Sequence, residues 1–327
     1  MRFSARPLSK LALAAALLLG LAAGTGLPAG AAGAPPAPAR SYYLVLGDSI
    51  AFGFEASVPA KSYVGILFNQ ELKQIPGLFP ISYACGGATT ASMIDGPACG
   101  STTGSQLAQA ESFLRGQRGE VALVTLTIGI NDIDGCMTVT TIIEPCVAKG
   151  EALAARQLPQ ILSGLSAADP GVRIVGMNYY DPYLAAWLSG PAGQAVAARS
   201  LTVFTAFNAQ LAAIYRQHGV RTADVAGRFA SSDSSTASYA GRTVPRNVAE
   251  ICTMTSMCTR ADIHPNDLGY AAIAQAYTPF LPTRFTGTPT ADTTRKWIAA
   301  GALAAVVVVI AGGVTMRRRR TRRSHHY

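Results

Sequence analysis

The chain has 327 residues and a formal net charge of +9, and that charge sits at its two ends. Between residues 41 and 290 there are 15 Lys and Arg against 17 Asp and Glu, a near-neutral balance that excludes the basic face nucleic-acid binding requires. Hydrophobic residues make up 49% of the chain and are spread along that span, so a folded domain is expected there rather than disorder.

The chain opens with Arg2, Arg6 and Lys10, then an apolar run over 11–23, then small residues with Ala-x-Ala-like sites. This order reads as a secretory signal peptide over 1–33, followed by a Pro/Ala linker over 34–40. Five short apolar runs follow within 41–285: Tyr42–Leu46, Pro80–Ala84, Val121–Ile128, Val172–Met177 and Val220–Val225. Continuous apolar runs suit strands of a parallel sheet covered on both faces. Helical patterns lie between and after them, at 61–74, 105–116, 147–168, 195–218 and 267–281. Alternating strands and helices predict right-handed crossovers and an α/β fold, a three-layer α/β/α sandwich around a doubly wound five-stranded parallel sheet.

Beyond the domain, 286–296 is a Thr-rich spacer. Trp297 to Met316 is 20 residues without a charge, followed by six arginines between Arg317 and Arg323. At about 1.5 Å per residue such a run spans about 30 Å, the hydrocarbon thickness of a bilayer. A transmembrane helix over 297–316 with a basic cytoplasmic tail over 317–327 is therefore expected, with the domain on the far side of a cell membrane crossed once. A sortase-type sorting signal would look similar, but Leu281-Pro282-Thr283-Arg284-Phe285 does not supply its motif.

Six cysteines fit an exported, oxidised domain. They allow 15 connectivities. Sequential pairing, Cys85 with Cys99, Cys136 with Cys146 and Cys252 with Cys258, is expected because each pair would staple one loop between regular elements. A metal site is disfavoured, since no pair has Cys-x-x-Cys spacing and no histidine lies near Cys85 or Cys136.

Functional residues of such sheets gather beyond the carboxyl ends of the strands. Gly47-Asp48-Ser49 stands there after the first strand, and Gly129-Ile130-Asn131-Asp132 after the third. A serine hydroxyl needs a base to become a nucleophile, and histidine is the usual one. Only His218 and His264 lie inside the domain. His218 ends a helical pattern, where a cation suits the helix dipole, which leaves His264 as the candidate base.

Taken together, Gly47-Asp48-Ser49, Cys85-Gly86-Gly87-Ala88-Thr89, Gly129-Ile130-Asn131-Asp132 and Asp262-Ile263-His264-Pro265-Asn266 resemble the four blocks of the SGNH (GDSL-type esterase/lipase) hydrolases, in family order. The resemblance implies the flavodoxin-like fold of that family and ester hydrolysis without metal or cofactor. It implies Ser49 as nucleophile, His264 as base, and an oxyanion hole from the amides of Ser49 and Gly87 and the side chain of Asn131. The third triad residue departs from the pattern. The family usually places an Asp three residues before the His, where this chain has Ala261; Asp262 is expected to orient the imidazole in its stead, with a backbone carbonyl near Ala261 as the alternative. Asp48 and Asp132 read as braces, and Asp181 as a loop residue. The substrate expected is a small-molecule, lipid or polysaccharide ester. A carbohydrate deacetylase and an inactive envelope-binding module are the alternatives.

Overall fold

The computed structural model describes residues 40–97, 99, 104–283 and 285, all of them within the unit Pro38–Tyr327. The expected signal peptide, the linker up to residue 39, the spacer, the membrane-spanning segment and the basic tail lie outside the described residues. Among the described residues no helix is long and apolar enough to cross a membrane.

Five parallel strands, β1 (Ser41–Gly47), β2 (Leu78–Ser82), β3 (Val121–Thr127), β4 (Ile174–Met177) and β5 (Arg221–Ala223), form one sheet in the order β2-β1-β3-β4-β5. The interior strands β1, β3 and β4 are almost wholly buried. β2 lies at an edge and is half exposed, which tolerates Pro80, a residue without a ladder donor.

The helices, in chain order, are α1 (Ser49–Phe52), α2 (Tyr63–Ile66), α3 (Thr90–Asp95), α4 (Gln106–Gly116), α5 (Glu144–Ala168), α6 (Pro191–Gln217), α7 (Val225–Arg228), α8 (Arg246–Met254), α9 (Met257–Arg260) and α10 (Asp267–Tyr277). α5 packs against α3, α4 and α6, while α10 packs against α2 and α7. Right-handed crossovers place these two groups on opposite faces of the sheet. The helix expected over 61–74 is instead the single turn of α2 running into a π turn at Leu67–Glu71. The expected starts at 147 and 195 move back to Glu144 and Pro191, because Pro145 and Pro191 sit in the first turns, where no amide donor is needed.

A two-stranded antiparallel hairpin, β6 (Thr236–Tyr239) and β7 (Arg242–Pro245), precedes α8. Three disulfides join Cys85 to Cys99, Cys136 to Cys146 and Cys252 to Cys258. The first closes the loop after β2, the second ties the turn after β3 to the first turn of α5, and the third links α8 to α9.

Candidate active site

The sheet reverses its strand order between β1 and β3, and a crevice opens beyond the carboxyl ends of strands at such a point. β1 ends at Gly47, whose φ of +135° is a conformation side chains rarely adopt. A Cβ there would stand 2.1 Å from the carbonyl oxygen of Thr127 on β3. The Gln106 side chain brackets the Gly47 peptide, accepting from its amide at 2.6 Å and donating to its carbonyl at 3.0 Å.

Asp48 is fully buried and caps α1. Its Oδ1 accepts from the Ile50 amide and the Thr127 hydroxyl, both at 3.0 Å, and its Oδ2 accepts from the Tyr179 hydroxyl at 2.9 Å. Burial pushes this carboxyl up to about 6, even though those three hydrogen bonds act the other way. Asp48 thereby ties β1, β3 and the segment after β4 to the first turn of α1. Ser49 is the first residue of that turn and stays partly exposed.

The opposite wall comes from the segment between α9 and α10. Ala261 ends α9 in the left-handed region, with φ of 51°, and turns the chain toward the crevice. The Asp262 Oδ1 accepts from the backbone amide of His264 at 2.9 Å and lies 2.6 Å from its Nδ1. On the other side of the ring, Nε2 lies 2.8 Å from the Ser49 Oγ. Burial raises the Asp262 carboxyl, but the hydrogen bonds from the His264 backbone and ring outweigh it, and the group lies below its ordinary value. The segment is held from several sides. Tyr180 donates to the Ile263 carbonyl at 2.7 Å, the Ser256 amide donates to the His264 carbonyl at 3.0 Å, and Phe54 packs on the imidazole with ring centroids 4.7 Å apart. Asn266 caps α10 by accepting from the amides of Leu268 and Gly269. Asp267 binds the Ser57 amide and hydroxyl and Lys61, and the Lys61 pairing is the main cause that holds its carboxyl down at about 2.

The loop after β2 is bonded to the segment after β3. A turn closed by the Ala88 amide and the Cys85 carbonyl at 3.1 Å carries Gly86 and Gly87 at its centre. That bond does not use the Gly87 amide, and the Gly87 φ of +75° favours glycine. Asn131, after β3, donates to the Ala88 carbonyl at 2.9 Å, and Asp132 accepts from the Thr90 amide at 3.0 Å and its hydroxyl at 2.9 Å. Burial raises the Asp132 carboxyl and both Thr90 bonds lower it, for a net rise. The motif after β3 thus fixes the loop that presents Gly87.

The first turn of α1, the segments after β3 and β4 and the segment before α10 enclose a pocket lined by Ser49, Ile50, Ile130, Asn131, Asp134, Tyr179, Tyr180, Pro182, Ile263 and His264. Among the described residues no three His, Cys, Asp or Glu side chains gather as a metal would need.

Residues 45–272 match the model of the GDSL-like Lipase/Acylhydrolase family, well over half of the chain. The chain belongs to this family. It is a serine ester hydrolase of the GDSL type. No curated protein sequence matches it. Among solved structures it is similar to the extracellular lipase of Streptomyces rimosus, at 20% identity over 74% of this chain and 98% of that one, with a TM-score of 0.49. It is also similar to phospholipase A1 of Streptomyces albidoflavus, at 19% identity over 74% and 98%, with a TM-score of 0.47. A psychrotrophic esterase of a Pseudoalteromonas species shares 16% identity over 74% and 96%, with a TM-score of 0.41.

The structure of this GDSL-type hydrolase brings Ser49, His264 and Asn131 to one pocket, with Asp262 bonded to His264 behind it and Gly87 next to Ala88, the residue that Asn131 binds. Asp181, read as a loop residue, does lie in the loop before the 3-10 turns at Pro182–Ser189, and it is fully buried there, accepting from the Tyr183 amide at 2.9 Å and the Ser200 hydroxyl at 2.7 Å. Sequence reasoning passed over Asp134, Tyr179 and Tyr180. The signal available was Asn178-Tyr179-Tyr180-Asp181 at the carboxyl end of a predicted strand, where polar and aromatic residues line sites.

Proposed function

We propose that this chain is an extracytoplasmic carboxylic-ester hydrolase working through Ser49, His264 and Asp262. The observation that carries the reading is the continuous set of hydrogen bonds from Ser49 through both ring nitrogens of His264 to Asp262. In this reading His264 Nε2 takes the Ser49 proton as the Oγ attacks the ester carbonyl. The resulting oxyanion is met by the amides of Ser49 and Gly87 and by the Asn131 side chain, whose other bond to Ala88 holds it in place. The imidazolium then protonates the departing alcohol, leaving an acyl-Ser49 ester. Water, deprotonated by His264, releases the acid. Asp262 keeps Nδ1 protonated throughout and balances the transient positive charge.

Ser49→Ala and His264→Ala should each remove nearly all hydrolysis of a soluble p-nitrophenyl ester, with the double variant little worse than either. Unchanged turnover in Ser49→Ala overturns the reading.

The location rests on three disulfides and on the charge pattern of the two ends. In this reading the domain is exported, and the segment 297–316 holds it to the cytoplasmic membrane with the arginines inside. Protease added to intact cells should then destroy the domain and spare the tail. A digested tail would exclude this arrangement.

A further inference from the structure

Asp134 lines the pocket beside Ser49, Asn131 and His264, yet the hydrolytic steps give it no task. Its position is fixed. The buried Tyr183 donates to the Asp134 Oδ1 at 2.7 Å and to the Asp134 carbonyl at 3.2 Å, and Tyr183 is itself anchored through its amide to buried Asp181. Two residues on, Cys136 is bound to Cys146. A short side chain clamped in this way cannot swing out to solvent.

The other oxygen of Asp134 has no protein partner among the described residues. Asp134 is also the sole carboxylate among the residues lining the pocket. The neighbouring hydroxyls do not answer it, since Tyr179 donates to Asp48 and Tyr180 to the Ile263 carbonyl. The pocket therefore carries one fixed acidic group on a wall that is otherwise mostly apolar. Burial raises the Asp134 carboxyl above its ordinary value, while the Tyr183 bond and the nearby imidazole act to lower it.

We propose that Asp134 reads the charge of the substrate, favouring esters with a cationic group beside the scissile bond and rejecting those with an anionic one. A fixed charge in a partly desolvated wall acts on a substrate charge more strongly than it would in water. Because the same imidazole serves every ester, the effect falls on discrimination between substrates and not on the chemistry common to all of them.

This inference rests on the proposed esterase reading, and the test separates the two. The full chain is assayed at about pH 8, where carboxylates near their ordinary range are ionised. The measured quantity is kcat/KM for acetylcholine against its uncharged carbon isostere, and for p-nitrophenyl hemisuccinate against p-nitrophenyl butyrate. The cationic-to-neutral ratio in the wild type, divided by the same ratio in Asp134→Asn, should be about tenfold, equivalent to about 1.4 kcal/mol. The anionic-to-neutral ratio should move about as far in the opposite direction. The Asn side chain still offers an oxygen to Tyr183. Asp134→Ser supplies a second uncharged variant should Asp134→Asn fold poorly, and Asp134→Glu should retain the wild-type preference. Neutral esters hydrolysed with both ratios within twofold of wild type in the uncharged variants would overturn the charge reading alone. Absence of any ester hydrolysis by the wild type would overturn both.

Discussion

Replacing Asp262 by Asn tests how the imidazole is held. In many triads this change fails because the amide presents its NH2 group to the ring and traps the wrong tautomer. Here the Asp262 Oδ1 accepts from the His264 backbone amide as well as facing Nδ1. The Asn oxygen would stay on those two donors, so the tautomer is retained and the loss is that of a charge. With the charge centres of an imidazolium and a carboxylate about 4 Å apart, the attraction is about 4 kcal/mol at an effective dielectric of about 20. The Asp262 side chain is 21% exposed, and solvent reduces that figure. A decrease in kcat of about 30- to 1000-fold, equivalent to about 2–4 kcal/mol, is therefore expected on a p-nitrophenyl ester. Asp262→Ala also removes the acceptor and should fall further. A loss below about tenfold in Asp262→Asn would refute the reasoning and return the orienting role to a backbone carbonyl.

Two other outcomes follow from the same geometry. The disulfides close segments of 14, 10 and 6 residues, so removing any one pair should destabilise the domain by about 2–3 kcal/mol on the chain-entropy account, read as a lowered urea midpoint. Loss of Cys85–Cys99 or Cys252–Cys258 should also lower activity, since those bonds steady the Gly87 loop and the entry to the His264 segment. Burial pushes the Asp181 carboxyl up to about 7, above its value in an unfolded chain, so the folded state binds its proton more tightly. Its contribution to stability is full below the ordinary carboxylate range and is lost as pH rises toward about 7. Asp181→Asn, with its NH2 donating to a Ser200 hydroxyl that already reaches the Ala197 carbonyl, should flatten this dependence and raise the urea midpoint at about pH 8. An unchanged pH slope would show that Asp181 is not its source.

The five strands were legible because burial on both faces demands uninterrupted apolar residues, and β1 and β3, the longest of the buried strands, were the clearest. The edges were harder. Pro80 and the polar residues of β2 and β5 blur a pattern that only an interior strand must keep. The β6–β7 hairpin lies in a Ser- and Thr-rich stretch whose small side chains announce no periodicity, and its four-residue strands are too short to display one. In the site, Ser49 and Asn131 stood out because motif and strand end coincide, and His264 because the domain offers only one other histidine, at a helix end. Asp134 and Asp181 did not, since a carboxylate's burial depends on partners such as Tyr183 and Ser200 that the chain brings in from 49 and 19 residues away.

The contact between Ser49 and His264 spans 215 residues of chain. Ser49 follows the first strand, whereas His264 is carried by the last part of the fold, just before α10. On the proposed triad, a nascent or partly translocated chain that has formed β1 through β4 owns its serine and lacks its base. On the proposed triad, ester hydrolysis requires α10 to be docked beside α2, with Asp267 on Ser57 and Lys61. The same reading makes the enzyme silent until the segment that carries His264 is in place. Recovery of activity after denaturation should thus time the docking of that segment, which far-ultraviolet circular dichroism, recording helices and strands throughout the fold, does not single out.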